Sequence, residues 1–473
     1  MGPASHGSTG AGGFPATDRA PRGDGLATPR RYWAIAAIVL AIAMSVLDSS
    51  IANVALPTIA REFRTSAATS IWVINAYQIA ILVSLLPLAA LGEVVGYRRI
   101  SQAGLAVFTA ASLACALAPS MLALTSARVI QGFGAAGIMS VNAALVRFTY
   151  PQRLLGRAVG INAFAVATSA AIGPTVAAAV LAVGPWRWLF AINGPIGIAT
   201  FLIASYALPV TERTARRLNW ASAGLHAGAF GLLVSGLQSL AHDAATPLAL
   251  GQICAGAVFA VFLARHELER EAPLIPFDLL RIRLFSLSIV TSVCSFTAQA
   301  AALVALPFNI ERLGHSPAQT GLLMTPWPLA VAIAAPVAGR LSDRFPAGIL
   351  GGVGLAIMSL GLLLLAQFPA GGSAADLIWR MALCGLGFGL FQSPNNRTMI
   401  LSAPRARSGA AGGMLSTARL LGQTVGAASV AIVFRAYPAR GANLALLVAA
   451  AIALLAALVS TSRLTAKPVV APP

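Results

Sequence analysis

Long apolar stretches separated by short polar turns dominate this chain. About 20 consecutive apolar residues cross a bilayer core as a helix. Fourteen stretches approach that scale: 33–57, 69–91, 100–118, 121–145, 157–182, 187–208, 219–240, 248–264, 285–308, 318–339, 348–368, 376–399, 410–434 and 441–461. The pattern predicts an all-α integral membrane protein with fourteen transmembrane helices. Strands of a membrane barrel would alternate in short segments instead. Pro and Gly inside several stretches are compatible with spans, because neighbouring helices satisfy the backbone groups they free.

Basic residues set the expected orientation. Of 32 Lys and Arg, 23 fall in the termini and the loops on their side, six fall in the opposite loops, and Arg128, Arg380 and Arg419 lie inside spans. This asymmetry predicts both termini in the cytoplasm and an even number of spans. Residues 1–32, mostly Gly, Pro, Ala and Ser before Arg30-Arg31, are expected to form a disordered cytoplasmic tail, and 463–473 a second tail. The segment after Arg30-Arg31 is too long, and too polar at its centre, for a cleaved signal peptide. The longest connection, 265–284, is too short for a soluble domain, so function is expected within the membrane.

Composition sharpens the class. The 473 residues are 58% apolar and only 10% charged, against roughly 25% charged in soluble domains. An ordinary soluble enzyme is excluded. The net charge of +18 is scattered between apolar runs, which suits anionic lipid and cytoplasmic loops better than nucleic acid. Cys115, Cys254, Cys294 and Cys384 are far apart within apolar runs and read as small buried hydrophobes. Among His6, His226, His242, His266 and His315 only His226 lies in a span, which argues against an intramembrane metal site. No GxxxxGK[ST] loop, HExxH or plausible Ser-His-Asp set appears, so neither a cofactor nor ATP is expected.

A few polar residues inside the spans carry the candidate chemistry. Asp48 is the one acid in a span interior. A carboxylate there costs roughly 2.5–3.5 kcal/mol on insertion scales, which suits either a proton site or a structural hydrogen bond. Arg128 is a candidate partner for a buried carboxylate; alternatively it snorkels to the nearby interface. Gly156, Gly160, Ala163, Ala167 and Ala171 place small residues at helix-contact spacing, and Gly173-Pro174 favours a bend. Asn53, Gln78, Gln131, Asn142, Asn395, Asn396 and Arg419 are candidate liners of a passage, or else interhelical glue.

Gly92-Glu93-Val94-Val95-Gly96-Tyr97-Arg98-Arg99 follows the second stretch, and Gly339-Arg340-Leu341-Ser342-Asp343-Arg344 follows the tenth. The offset of eight spans implies duplicated six-helix halves with two added helices between them, a recurrent transporter plan with the substrate site where the halves meet. Both turns resemble the loop between helices 2 and 3 of the major facilitator superfamily and its weaker copy, with Glu93 where that family usually has Asp and Val94 where it has Arg. Leu47-Asp48-Ser49-Ser50-Ile51-Ala52-Asn53-Val54-Ala55-Leu56-Pro57 closely resembles the first-helix motif of the fourteen-helix drug:proton antiporter family within that superfamily. Arg128-Val129-Ile130-Gln131-Gly132 is similar to its fourth-helix motif, and Gly173-Pro174 to its antiporter motif, although Ala177-Ala178 replace the usual Gly pair. Trp186 to Gly197 and Gln392 to Arg397 resemble the same family.

The resemblance implies a major facilitator fold: a six-helix bundle over 33–208, a linker with two extra helices over 209–284, and a second bundle over 285–462. It also implies a proton-driven exporter of small amphipathic or cationic drugs, antiseptics or dyes in a bacterial inner or plasma membrane. In this reading Asp48 and Arg128 couple protons. Gly92, Glu93, Arg98, Arg99, Gly339, Asp343 and Arg344 form gating turns. The partners are the lipid bilayer and the substrate, and one chain holds both halves and is sufficient as a monomer. A transporter of one specific metabolite is the alternative.

Overall fold

A computed structural model describes residues 25–151, 154–211, 219–240, 246–268, 277–369, 371–403 and 408–465. The side chains of 155–157, 159, 160, 163, 167, 246, 277, 408–410 and 465 are outside that description. All secondary structure among the described residues is helical, and fourteen helices are long and apolar enough to cross a membrane. They are α1 (Arg30–Glu62), α2 (Ala67–Val95), α3 (Tyr97–Ala116), α4 (Met121–Thr149), α5 (Phe164–Val183), α6 (Trp188–Ala207), α7 (Trp220–Ser239), α8 (Pro247–Leu268), α9 (Arg283–Arg312), α10 (Pro317–Leu341), α11 (Ala347–Ala366), α12 (Ala374–Ser402), α13 (Ala411–Ala436) and α14 (Gly441–Ser462). Of these, α2, α6 and α10 are each interrupted once, at Ile71, Ile192 and Thr325.

Small residues set the closest packing, as expected where lipid removes the usual hydrophobic drive between helices. A Cβ on Gly132 would lie 2.5 Å from the Tyr77 carbonyl oxygen, so α4 sits directly on α2. Gly104 and Gly134 bring α3 onto α4. The last six spans repeat the pattern. Gly385 seats α12 on Trp327 of α10, and Gly354 and Gly387 bring α11 onto α12. Replacing Gly387 with valine is therefore expected to drive α11 from α12 and lower the thermal unfolding midpoint in detergent. An unchanged midpoint would contradict that packing.

The repeat reaches the turns, about 250 residues apart. Pro57 and Pro307 both lie inside their helices near the far ends. Chain reversals follow at Arg64 (φ 52°) and Gly314 (φ 94°). Ser66 and Ser316 then cap the next helices by accepting from Thr69 and Gln319 backbone N–H groups. Arg64 occupies a left-handed conformation that glycine adopts more readily, as its counterpart Gly314 does.

At the face away from the termini, Arg61 of α1 and Glu311 of α9 form an ion pair of 2.8 Å. Nearby, the Thr175 and Thr325 hydroxyls of α5 and α10 are 2.8 Å apart, and Gly321 lies against the Pro174 carbonyl. The helix α7 bridges the seam between the two sets of spans. It meets α2 through Asn75 Nδ2 donating to Gln238 Oε1 at 2.5 Å and through His226 Nε2 against the Leu82 carbonyl at 3.2 Å. It meets α13 through Arg435, which donates to the Leu240 carbonyl just beyond α7. The outermost span, α8, packs mainly on α7.

Some expectations change. The first helix starts at Arg30, inside the expected 1–32 tail. Arg30 donates from Nε to Ala207 O at 3.2 Å and from Nη2 to Leu208 O at 3.3 Å, satisfying carbonyls at the end of α6 where a cation is favoured. Leu26 N–H bonds Thr149 O at 3.0 Å. Residues 1–24 of that tail, 466–473 of the second, 212–218, and 269–276 of the longest connection lie outside the described residues. Arg463, expected in a tail, is buried and donates to Asn395 Oδ1 at 2.6 Å and Ser288 Oγ at 3.1 Å. The free carbonyls at the end of α14 and a buried amide draw it inward. Cys115 and Cys384 are buried, but Cys294 is only half-buried and Cys254 is exposed, because α8 is peripheral and a thiol can face lipid.

Candidate functional site: a buried ion pair between α1 and α4

Asp48, midway along α1, and Arg128, two turns into α4, are completely buried. Arg128 Nη1 lies 2.5 Å from Asp48 Oδ2. The other carboxylate oxygen, Oδ1, accepts from Gln131 Nε2 at 2.9 Å and from Asn193 Nδ2 at 3.0 Å. Three donors thus converge on one acid. Gln131 also donates to Ser112 Oγ at 2.7 Å and accepts from Arg128 Nη1 at 2.5 Å. The guanidinium donates from Nε to Val73 O at 2.9 Å and stacks 4.1 Å from the Tyr77 ring centre and 5.4 Å from that of Phe190. Tyr77 is held by its hydroxyl, which donates to Ser45 O at 3.1 Å.

The sequence folds this way for local reasons. Gly132, one residue past Gln131, lets α4 approach α2 closely enough for Arg128 to reach the Val73 carbonyl. The helix is interrupted at Ile192 and restarts at Asn193, whose amide reaches the carboxylate. Gly173 lies against Ser50, two residues after Asp48, and seats α5 on α1. The α5 helix continues through Pro174 to Val183. The same region thus touches α1 on one side and α10 on the other.

Chemically, the cluster is a pair of opposite charges taken out of water. Such a pair is worth little net, but removing either partner costs about 3–5 kcal/mol, because a charge is left uncompensated. Adding one proton to Asp48 has the same effect on Arg128 as deleting the acid. The pseudo-equivalent positions of the last six spans are apolar: Met381 and Cys384 of α12 stand where α4 has Arg128 and Gln131, and both are fully buried. The same packing is built twice, with charge in one copy.

The structure brings Asp48, Arg128 and Gln131 together. Of the two roles open to Gln131, interhelical glue is the one it fills, fully engaged in the ion-pair cluster. Asn395 is likewise locked between Ser292 Oγ at 2.8 Å and Arg463, not facing a passage. Asn53 donates to Ser49 O at 3.1 Å while its Oδ1 is buried without a partner, as is Gln78 Oε1. Asn142 is buried, and Asn396 and Arg419 are half-buried. Asn193 joins the carboxylate although its sequence surroundings pointed to an interfacial anchor. An amide inside an apolar span was the available signal.

The first of the turns expected to gate closes through Gly96, whose φ of 103° favours glycine and whose N–H bonds Gly92 O at 3.0 Å. Arg98 donates to the Ser205 carbonyl, Glu93 is half-buried and Arg99 is exposed. In the second turn, Ser342 Oγ donates to Gly339 O at 2.7 Å. Asp343 pairs with Arg397 of α12 at 2.6 Å, while Arg344 is exposed. Arg397 was not among the expected gating residues. The side chains of Gly156, Gly160, Ala163 and Ala167 lie outside the described residues.

A fourteen-span helical protein, built as a repeated pattern with a buried ion pair at its centre, has the fold of a secondary transporter. The family model described as Major Facilitator Superfamily matches residues 38–427 and 287–472, and the chain belongs to that superfamily. It is 53% identical over 445 residues to the uncharacterized transporter YebQ of Escherichia coli (strain K12), covering 93% of this chain and 97% of that one. It is 31% identical to the riboflavin transporter RibZ of Clostridioides difficile (strain 630), over 84% and 87% of the two chains. It is 32% identical to the multidrug resistance protein Stp of Mycobacterium tuberculosis (strain ATCC 25618 / H37Rv), over 84% and 75%. In fold it is similar to a bacterial homologue of the human lysosomal transporter Spinster, with a TM-score of 0.70 at 16% identity over 93% of this chain and 98% of that one. The protein is thus a multi-pass membrane transporter with a small-molecule substrate, in a family of transporters rather than enzymes, with relatives in bacteria.

Proposed function

We propose that the chain is a proton-coupled exporter of small amphipathic compounds, cationic dyes and antiseptics among them, of the fourteen-helix drug:proton antiporter type. The observation that carries this reading is the buried Asp48–Arg128 pair with its two amide donors. In the proposed cycle the paired state holds Asp48 as the carboxylate. A proton taken up from outside neutralises it and frees Arg128, and this is the packing change that a rocking motion between 33–208 and 285–462 requires. Release of the proton inside restores the pair. A membrane potential of 100 mV supplies about 2.3 kcal/mol per charge moved, part of the about 3–5 kcal/mol that uncoupling the pair costs. Similarity to a multidrug resistance protein supports export; similarity to a riboflavin transporter supports the second reading, a carrier of one metabolite.

In this proposal the termini face the cytoplasm, as the loop charges favour, and the membrane is the bacterial plasma membrane. The turns around Gly92, Glu93, Arg98 and Arg99, and around Gly339, Asp343 and Arg344 with Arg397, gate the inner side. Gly173-Pro174 forms part of the outer closure. The test is purified protein in vesicles with an imposed pH gradient, using ethidium and riboflavin as probes. Gradient-dependent movement of ethidium supports the exporter. Movement of riboflavin alone transfers support to the metabolite carrier.

The outer latch is expected to be weak. Arg61 is 63% exposed and Glu311 9%, so water screens one partner, and the pair is expected at the upper end of the about 0–1 kcal/mol that exposed ion pairs contribute. Replacing Glu311 with glutamine should raise labelling of a cysteine at Thr65 by an impermeant maleimide by less than about fivefold. A larger increase would make the pair the main outer closure, against the apolar packing of α1, α5, α9 and α10.

A further inference from the structure

Arg419 is a half-buried cation inside α13, and its surroundings differ from those of Arg128. It lies about 12 Å along α13 from the end nearer the termini, counting 1.5 Å per residue. Its Nε is buried without a hydrogen-bond partner, and no acid among the described residues forms an ion pair with it. Asp48 is committed to Arg128, Glu311 to Arg61, Glu62 to Arg187, Asp343 to Arg397 and Asp376 to Arg380.

Its placement is set by neighbours on α13. Leu420 packs into the cluster of Tyr77, Ile81, Leu82 and Leu85 on α2. Gly422 and Gly426 seat α13 on the Val293 and Thr297 carbonyls of α9. One step before Leu420 and three before Gly422, Arg419 leaves the helix between these two faces, at the seam where the first and last spans meet. Ser416 and Gln423, at helical spacing on the same side, are half-buried with it. A partly accessible polar stripe at mid-span is costly against lipid and suits a water-accessible passage. A guanidinium there needs an anion or carbonyls to offset its desolvation.

We propose that Arg419 is the docking point for an anionic group, a carboxylate or sulfonate, on an otherwise apolar substrate. The proposal rests on the transporter reading above and adds acidic compounds to the amphipathic substrates named there. Asp48, held by three donors, offers no free charge to a cation in this state, whereas Arg419 offers one to an anion.

The experiment compares fluorescein with its methyl ester in weakly acidic buffer, where the acid carries a carboxylate and the ester is neutral. Binding to the purified full-length chain in detergent is read by fluorescence anisotropy, without a pH gradient. The parent should bind the acid more tightly than the ester. Arg419→Gln should weaken acid binding about tenfold or more, as expected for a charge-assisted contact, and leave ester binding unchanged. Arg419→Lys should retain part of the preference. Equal acid preference in parent and Arg419→Gln overturns the proposal. If Arg419→Gln does not yield folded protein, parity between acid and ester in the parent overturns it equally. Gradient-driven ethidium export by the parent, measured separately in vesicles, tests the exporter reading: its failure sinks that reading, whereas loss of the acid preference alone sinks only the role of Arg419.

Discussion

Replacing Asp48 with asparagine reduces gradient-driven ethidium export in vesicles to the level of protein-free vesicles. Asparagine retains an oxygen that can accept from Gln131 and Asn193, so the local geometry is largely conserved. It cannot bind or release a proton, and it carries no charge to offset Arg128. Exchange of ethidium across vesicles without a gradient should continue, because Asp48 is fully buried and asparagine keeps its two amide partners. Loss of both activities together would point to a folding defect; retention of both would remove Asp48 from coupling. The cost of leaving Arg128 unpaired, about 3–5 kcal/mol, makes a lowered unfolding midpoint part of the expected result.

Replacing Arg128 with glutamine should be at least as damaging. The carboxylate then keeps two neutral amide donors and loses its cation, and the cation–π stack on Tyr77 and Phe190 is lost with it. The expected loss is about 3 kcal/mol or more, read as a fall in the unfolding midpoint, with gradient-driven export abolished. The double variant Asp48→Asn, Arg128→Gln leaves no buried charge at the site. It should be more stable than the sum of the single losses implies, because residues in one ion pair do not contribute additively. Additive losses would mean that the two residues act separately.

Much of the architecture was legible because the bilayer imposes length and polarity on every span. All fourteen apolar stretches coincide with helices, with ends shifted by several residues, as at Arg30 and Glu62. Asp48 and Arg128 were conspicuous because charge is expensive in hydrocarbon. Their pairing was not legible: it depends on the rotation of α1 and α4 about their axes, which sequence spacing leaves free. For the same reason the spacing leaves Gln131 and Asn395 open between passage liners and interhelical glue, and the second is the role they fill. Asn193 was missed because Trp186 and Trp188 nearby draw attention to the interface. Arg61-Glu62 and Glu311-Arg312, reversed charge doublets about 250 residues apart, carried a usable signal for the outer contact. The repeat was instead sought in the turns at Gly92 and Gly339.

The central claim is that proton exchange at Asp48 is coupled to substrate movement. The direct measurement is proton movement in vesicles loaded with ethidium and a pH-sensitive dye, with an outward ethidium gradient and no imposed pH gradient. The expected result is proton movement opposite to ethidium in the parent and none in Asp48→Asn at equal ethidium movement. Equal proton movement in both proteins would contradict it.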